Sequence, residues 1–280
     1  MHLVIQGADI ETRDLKDLAK LSGAAGIDRL SDHAFRLRGA QPAAGIAELC
    51  AGARLDHGFV PEGRRLTDFR LLVMDMDSTL ITMETIDELA DMVGIKAEVA
   101  AITAQAMRGE IEYDESLRRR LALLQGLDES ALQRVYDERL KFSPGAERML
   151  EKARAAGIKT LLVSGGFTYI TDRLKMRVKL DYTHSNVLEV ADGKLTGNVT
   201  GGIVNADAKR AALLRVAAEL GASRDQIAGV GDGANDLKFL AECGVSVAYC
   251  AKPVVRDQTT YALNHSGLDA LPWLLSAGQD

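Results

Sequence analysis

The chain is poor in the residues that mark several protein classes. Of its 280 residues only three are cysteines, Cys50, Cys243 and Cys250. They are widely spaced and form no C-x-x-C pair. That argues against a disulfide framework and for a reducing, cytoplasmic compartment. Each reads as a small buried apolar residue. Aromatic residues make up 5%, and no basic block exceeds Arg118-Arg119-Arg120. The formal net charge is -6, from 34 Lys+Arg against 40 Asp+Glu. Nucleic-acid binding therefore has no electrostatic support. No apolar run reaches about 18 residues, so no membrane span is expected. The start, Met1-His2-Leu3-Val4-Ile5, lacks a basic region followed by a long apolar segment, so no signal peptide is expected. The sequons at Asn198 and Asn264 are then read as chance.

What is present suits a proper core. The chain is 47% hydrophobic and 26% charged, enough for one large domain or two smaller ones. Residues 1 to 66 read as β-α-β-β-α-β. The strands are His2–Ile5, Ile27–Leu30, Ala34–Leu37 and Leu55–Val60, and the helices are Glu11–Leu21 and Pro42–Ala53. That is the ferredoxin-like order, and by element order it resembles the amino-acid-sensing ACT family. A structural role, or a homodimer formed through this module, fits equally well. A second region alternates strand and helix from Phe69 onward. Its apolar strands are Leu71–Met74, Thr160–Val163, Ile227–Val230 and Val245–Tyr249, and a hairpin turns at Ala191-Asp192-Gly193. Alternation implies a parallel sheet with helices on both faces. A wholly helical block after the first strand, residues 83–142, is an insertion placed to cover a site.

Three strand ends carry the chemistry. The first delivers Asp75-Met76-Asp77-Ser78-Thr79, the second Ser164-Gly165-Gly166, and the third Gly231-Asp232-Gly233-Ala234-Asn235-Asp236. A helix opening near Lys209 lies between the last two. In open α/β sheets, ligands bind at the carboxyl ends of strands. An Asp-rich turn capping a helix is the plainer reading of residues 75–79 alone. If the three strands are neighbours, however, one cleft collects carboxylates, an ammonium, a hydroxyl and glycine-rich amides. Like charges about 4 Å apart repel by roughly 4 kcal/mol at an effective dielectric near 20, so the cluster calls for a cation. An all-oxygen donor set favours Mg²⁺ over Zn²⁺. The inventory then suits in-line phosphoryl transfer. Leu80 stands where an EF-hand needs Gly, and no Walker A, G-x-G-x-x-G or G-x-S-x-G sequence occurs.

These residues resemble the four motifs of the haloacid dehalogenase superfamily, and within it the likeness is greatest to the phosphoserine phosphatase family. The resemblance runs from about Phe69 to the C-terminal region, about three quarters of the 280 residues. It implies an α/β fold with a Rossmann-like parallel-sheet core (67–82 and 143–280), a helical cap (83–142) and the small α+β module (1–66). It implies Asp75 as nucleophile and Asp77 as general acid and base. Mg²⁺ would be held by Asp75, the backbone carbonyl of Asp77, and Asp232, with Asp236 in support. Ser164, Gly165 and Lys209 would hold the phosphoryl group, and Asn235 would line the substrate site. Glu84 would meet the substrate ammonium and Arg120 its carboxylate, with Met107 and Tyr113 as apolar shielding. Arg118 and Arg119 compete with Arg120 on sequence grounds. The implied reaction is hydrolysis of O-phosphoserine, the last step of serine biosynthesis. Two alternatives stand beside it: a phosphatase or phosphotransferase acting on another small phosphomonoester, and a regulatory protein that senses amino acids.

Overall fold

A computed structural model describes residues 1–278. The last two residues of the expected core segment, Gln279 and Asp280, lie outside the described residues. The N-terminal region forms β1 (His2–Gln6), α1 (Thr12–Ser22), β2 (Gly26–Ser31), β3 (Ala34–Arg38), α2 (Ile46–Gly52) and β4 (Asp56–Val60). The four strands make one antiparallel sheet in the order β2-β3-β1-β4, the ferredoxin-like arrangement. Alternation along β1 explains its two-sided burial. Leu3 and Ile5 pack with Leu15, Leu18, Ile46 and Cys50 under the helices. Val4 and Val60 face the other way, into the main core with Phe69, Leu274 and Leu275. Helix α2 starts later than its apolar pattern suggests, because Gly45 is left-handed at φ 89° and ends any helix running in from Pro42.

The larger region contains β5 (Leu71–Met74), then the helices α3 (Thr85–Met92), α4 (Lys96–Met107), α5 (Tyr113–Ala122) and α6 (Ser130–Arg134). There follow α7 (Ala146–Ala155), β6 (Lys159–Phe167), α8 (Thr168–Val178), β7 (Tyr182–Ala191) and β8 (Lys194–Thr200). It closes with α9 (Ala206–Leu220), β9 (Ile227–Gly231), α10 (Leu237–Leu240), β10 (Val245–Tyr249), α11 (Pro253–Arg256), β11 (Tyr261–Leu263) and α12 (Leu271–Ser276). The sheet order is β11-β10-β9-β5-β6-β7-β8, with every adjacent pair parallel except β7 and β8. Strand β5 is apolar without alternation because both of its faces are covered. Leu72 and Met74 point into one core cluster, Leu71 and Val73 into the other. From β5 the chain builds outward through β6 and β7, then returns to β9 on the opposite flank. That reversal opens a crevice at the carboxyl ends of β5 and β9.

Two strands exceed the pattern in the sequence. The first half of β7, Tyr182–His184, pairs in parallel with Leu161–Val163, although its residues are mostly polar. Strand β11 is a short addition at the edge. The β7–β8 hairpin turns on Asp192 and Gly193, both at positive φ (51° and 72°), as a two-residue turn of matching twist requires.

The cap helices α3–α6 are inserted between β5 and α7. The cap is also tied to the free edge of the sheet. Gly126 N–H donates to the Leu195 carbonyl (2.8 Å), Leu195 N–H to Leu127 (2.8 Å) and Glu129 N–H to Gly193 (2.9 Å). The N-terminal sheet is docked with equal specificity. The buried Asp56 carboxylate accepts the backbone N–H groups of Asn264 (2.8 Å), His265 (3.0 Å) and Ser266 (2.8 Å). Arg64 donates to the carbonyls of Leu274 (2.6 Å) and Leu275 (2.8 Å). Gly58 has no room for a side chain, since a Cβ would lie 2.7 Å from both Leu274 and Tyr261. Among the described residues, no helix is long and apolar enough to cross a membrane.

Candidate active site

Asp75 is the first residue after β5 and is buried. The Met76 N–H donates to its carboxylate at 2.7 Å. The chain then makes one wide turn over Met76–Leu80, with Ser78 in the left-handed region at φ 55°. A non-glycine residue there costs on the order of 1 kcal/mol, and the surrounding contacts hold it. The Ser78 N–H donates to the Met83 carbonyl (3.2 Å) and its hydroxyl to Glu84 (2.6 Å). The same turn sends Asp77 toward the cap, where the Thr85 hydroxyl donates to it at 2.7 Å.

Lys209 lies in the first turns of α9, which Asn205 caps by accepting the N–H groups of Asp207 and Ala208 at 3.1 Å. Its side chain is 1% exposed and its ammonium sits 2.8 Å from both Asp75 and Asp236. Burial opposes that charge, but the carboxylates of Asp236 and Asp75 override it and hold the pKa above the ordinary lysine value. Asp236 is fully buried and also accepts the Gly233 N–H at 3.1 Å. Asp232 accepts the Thr79 hydroxyl at 3.0 Å.

One oxygen each from Asp75, Asp232 and Asp236 lies within 4.8 Å of the others. Burial, and next the charge of Asp236, pushes the Asp75 carboxyl above its usual range. The same two causes push Asp232 up to about 6. Three such groups with a single lysine are short of positive charge. The donors are all oxygen, so the residues fit a hard divalent cation. The Asp77 side chain stays outside this trio. Burial, and next the charge of Glu84, pushes it up to about 8, a range in which a carboxyl can still carry a proton to give.

Ser164, Gly165 and Gly166 line the opposite wall at the end of β6. The Gly166 N–H donates to the Ser164 hydroxyl at 2.8 Å. A Cβ on Gly166 would lie 2.6 Å from the Met76 methyl and 3.2 Å from Asp77, so glycine lets β6 approach the Asp75 turn without displacing either side chain. The half-buried Asn235 folds its side-chain oxygen back over Gly233.

The three consecutive arginines of the cap differ in burial. Arg120 is buried at 9% exposure, while Arg118 and Arg119 are exposed and Arg119 pairs with Glu115 at 2.7 Å. Arg120 lies within electrostatic reach of Glu84 and Asp87. Glu84 keeps exposed surface, but its carboxyl is crowded, and burial raises its pKa against the Ser78 hydrogen bond. Met107, expected as apolar shielding, is instead largely exposed at 70%, and its sulfur lies 3.7 Å from the Lys252 ammonium of the core.

Several contributors escaped the sequence reading. Thr79 and Thr85 fix Asp232 and Asp77. Asn186, buried on β7, donates to the Gly165 carbonyl (2.8 Å) and accepts the Val204 N–H (2.8 Å), which locks the glycine loop to the segment before α9. Asn205 also donates to Asp114 of the cap at 3.0 Å. Thr79 stands four residues after Asp75 in the motif and was open to discovery there. Asn186 sits in a polar stretch with no distinguishing spacing.

Fold and site together define an α/β enzyme that sets a buried carboxylate and a buried lysine beneath a helical lid. Residues 72–241 match the haloacid dehalogenase-like hydrolase family, and residues 3–46 match a family described only as a domain of unknown function. A phosphoserine phosphatase of Polaromonas sp. is 52% identical over 212 residues, which cover 74% of this chain and 90% of that protein. The crystal structure of a haloacid dehalogenase family hydrolase from Salmonella enterica serovar Typhi superposes with a TM-score of 0.88 at 32% identity, covering 98% of this chain and 97% of that one. That of a probable phosphoserine phosphatase from Vibrio cholerae, unliganded, gives 0.87 at 34% identity, covering 99% and 87%. The chain belongs to the haloacid dehalogenase-like hydrolases, and within them to the phosphoserine phosphatase family.

Proposed function

We propose that the chain hydrolyses O-phospho-L-serine to L-serine and phosphate, with Asp75 as the nucleophile. The observation that carries this reading is the buried Lys209 ammonium, 2.8 Å from Asp75 and from Asp236, beside the Asp232 carboxylate. Lys209, Ser164 and the Gly165 amide hold the phosphoryl oxygens. An Asp75 oxygen attacks phosphorus in line, and the bond to the serine oxygen breaks as Asp77 gives that oxygen a proton. The resulting aspartyl-phosphate is then attacked by water, whose proton returns to Asp77, and phosphate leaves. Mg²⁺ fits the oxygen donors of Asp75, the Asp77 backbone carbonyl, Asp232 and Asp236. When bound, it supplies the positive charge that offsets these carboxylates and the phosphoryl oxygens.

Substrate choice is assigned to the cap. Glu84 receives the ammonium, Arg120 receives the carboxylate as a planar two-point donor, and Asn235 lines the site. The domain assignment follows: residues 1–66 as a docked accessory module, 67–82 and 143–280 as core, and 83–142 as cap. The reading places the enzyme in the cytoplasm at the last step of serine biosynthesis, with a homodimer formed through the N-terminal module.

A panel of phosphomonoesters assayed with Mg²⁺ and with EDTA tests the reading, with homoserine added in one arm to detect phosphate transfer. O-phosphoserine should be the preferred substrate, EDTA should stop turnover, and Asp75→Asn should abolish it in a folded protein. Full activity of that variant would remove Asp75 from the role of nucleophile.

A further inference from the structure

Tyr113 opens helix α5 of the cap, and its hydroxyl reaches across to the core. It rests against Gly165. A Cβ built there would collide first with the Tyr113 oxygen and would then meet the Val204 carbonyl at 3.7 Å. The phenol is therefore posted over the glycine loop at the end of β6.

Its position is fixed from both sides. The neighbouring Asp114 accepts a hydrogen bond from Asn205, the residue that caps α9 and so sets Lys209 (3.0 Å). Beneath the phenol, Asn186 pins Gly165 and Val204 at 2.8 Å each. Yet the Tyr113 hydroxyl forms no hydrogen bond within the described residues. The ring is only half-buried, so its oxygen is not sealed into the core. Burial raises the phenol pKa, which keeps the group a neutral donor, and the charges acting on it are those of Lys209, Arg120, Asp75 and Asp77.

A phenylalanine would shield this site as well as a tyrosine. The hydroxyl has no partner among the described residues and is not sealed off, so it is free to donate to a group that enters with the substrate. Of the two anionic groups a phosphoamino acid carries, the phosphoryl group is the one seated over Gly165. Lys209 also acts on the phenol more strongly than Arg120 does. We propose that the Tyr113 hydroxyl donates a hydrogen bond to a non-bridging phosphoryl oxygen. The cap would then supply one of the phosphate ligands, a contact between cap and core made only when a phosphoryl group is in place. The proposal rests on the phosphatase reading above.

Tyr113→Phe in the full chain tests it, since phenylalanine keeps the ring and its packing. A hydrogen bond to a charged acceptor corresponds to about a ten- to hundredfold effect. The variant should lose that factor in kcat/KM for both O-phosphoserine and p-nitrophenyl phosphate. Calorimetric titration with inorganic phosphate should show affinity weakened by a similar factor, while inhibition by L-serine should be unchanged. A loss confined to O-phosphoserine and L-serine would place the hydroxyl on the substrate carboxylate and overturn the proposal. No change in phosphate affinity would overturn it too. The phosphate titration needs no turnover. A wild type that hydrolysed no phosphomonoester would count against the phosphatase reading, and the titration would still decide the role of the hydroxyl.

Discussion

Removing the Lys209 ammonium while keeping its volume, as Lys209→Met does, leaves Asp75 and Asp236 facing each other without a cation. Both carboxylates lie 2.8 Å from Nζ, and their side chains are 7% and 0% exposed. Breaking a buried ion pair by deleting one partner costs about 3–5 kcal/mol, because the surviving charge is left uncompensated. Unfolding entropy near the midpoint is about 2.1 cal/mol/K per residue, which for 280 residues gives roughly 0.6 kcal/mol/K. The expected loss in Tm is therefore about 5–8 °C, read by calorimetry in EDTA so that no cation substitutes for the lysine. Adding Asp236→Asn removes one of the two stranded charges while keeping an acceptor for the Gly233 N–H. The double variant should recover on the order of 1 kcal/mol or more, a coupling typical of groups in contact. Both variants should lose turnover of O-phosphoserine. A Lys209→Met protein as stable as wild type, or a double variant less stable than the single one, would refute the account of this cluster.

Other outcomes follow from the same geometry. Arg120→Ala should raise KM for O-phosphoserine about ten- to hundredfold and leave p-nitrophenyl phosphate nearly untouched; Arg118→Ala should alter neither, and steady-state kinetics on both substrates check this. Asp232 is pushed up to about 6, first by burial and next by Asp236, so its charge destabilises the metal-free fold above its ordinary range near 3.8. Asp232→Asn should therefore raise Tm in EDTA at neutral pH and abolish the rise that Mg²⁺ gives the wild type. Burial lowers the His57 pKa below 6.5, so protonation favours the unfolded chain, and the contribution is lost as pH falls through 6.5 toward the folded value. The stability gap between wild type and His57→Asn in urea melts should narrow between about pH 7 and pH 5; a gap that widened would invert the assignment.

The parts of the fold that could be read directly share one physical cause. Strand β5 and the alternating residues of β1 advertise burial through their own apolar pattern, and helix α3 does so through three-and-four spacing, burying Ile86, Leu89 and Ala90. The first half of β7 is hidden because Tyr182, Thr183 and His184 are polar, and what makes them a strand is pairing with Leu161–Val163, about 20 residues away in the chain. The late start of α2 turns on Gly45 adopting φ 89°, a choice between allowed conformations that composition does not settle. In the cap, three consecutive arginines are equivalent as letters. Helix rotation buries Arg120 and leaves Arg118 and Arg119 in solvent.

The chemistry of the site was written in the chain, because acids, a lysine and glycines each carry their reactivity wherever they fold, and short motifs at strand ends fix which of them face the crevice. Distances between motifs were not written there. Asp75 and Asp236 are separated by more than a hundred residues, and only the strand order β9-β5-β6 and the placement of Lys209 on α9 bring both to 2.8 Å from its ammonium. The same holds for Asn186 beneath Gly165 and for Tyr113 above it. Local sequence determines what a side chain can do, while long-range packing, which sums many weak contacts, decides what it does it to.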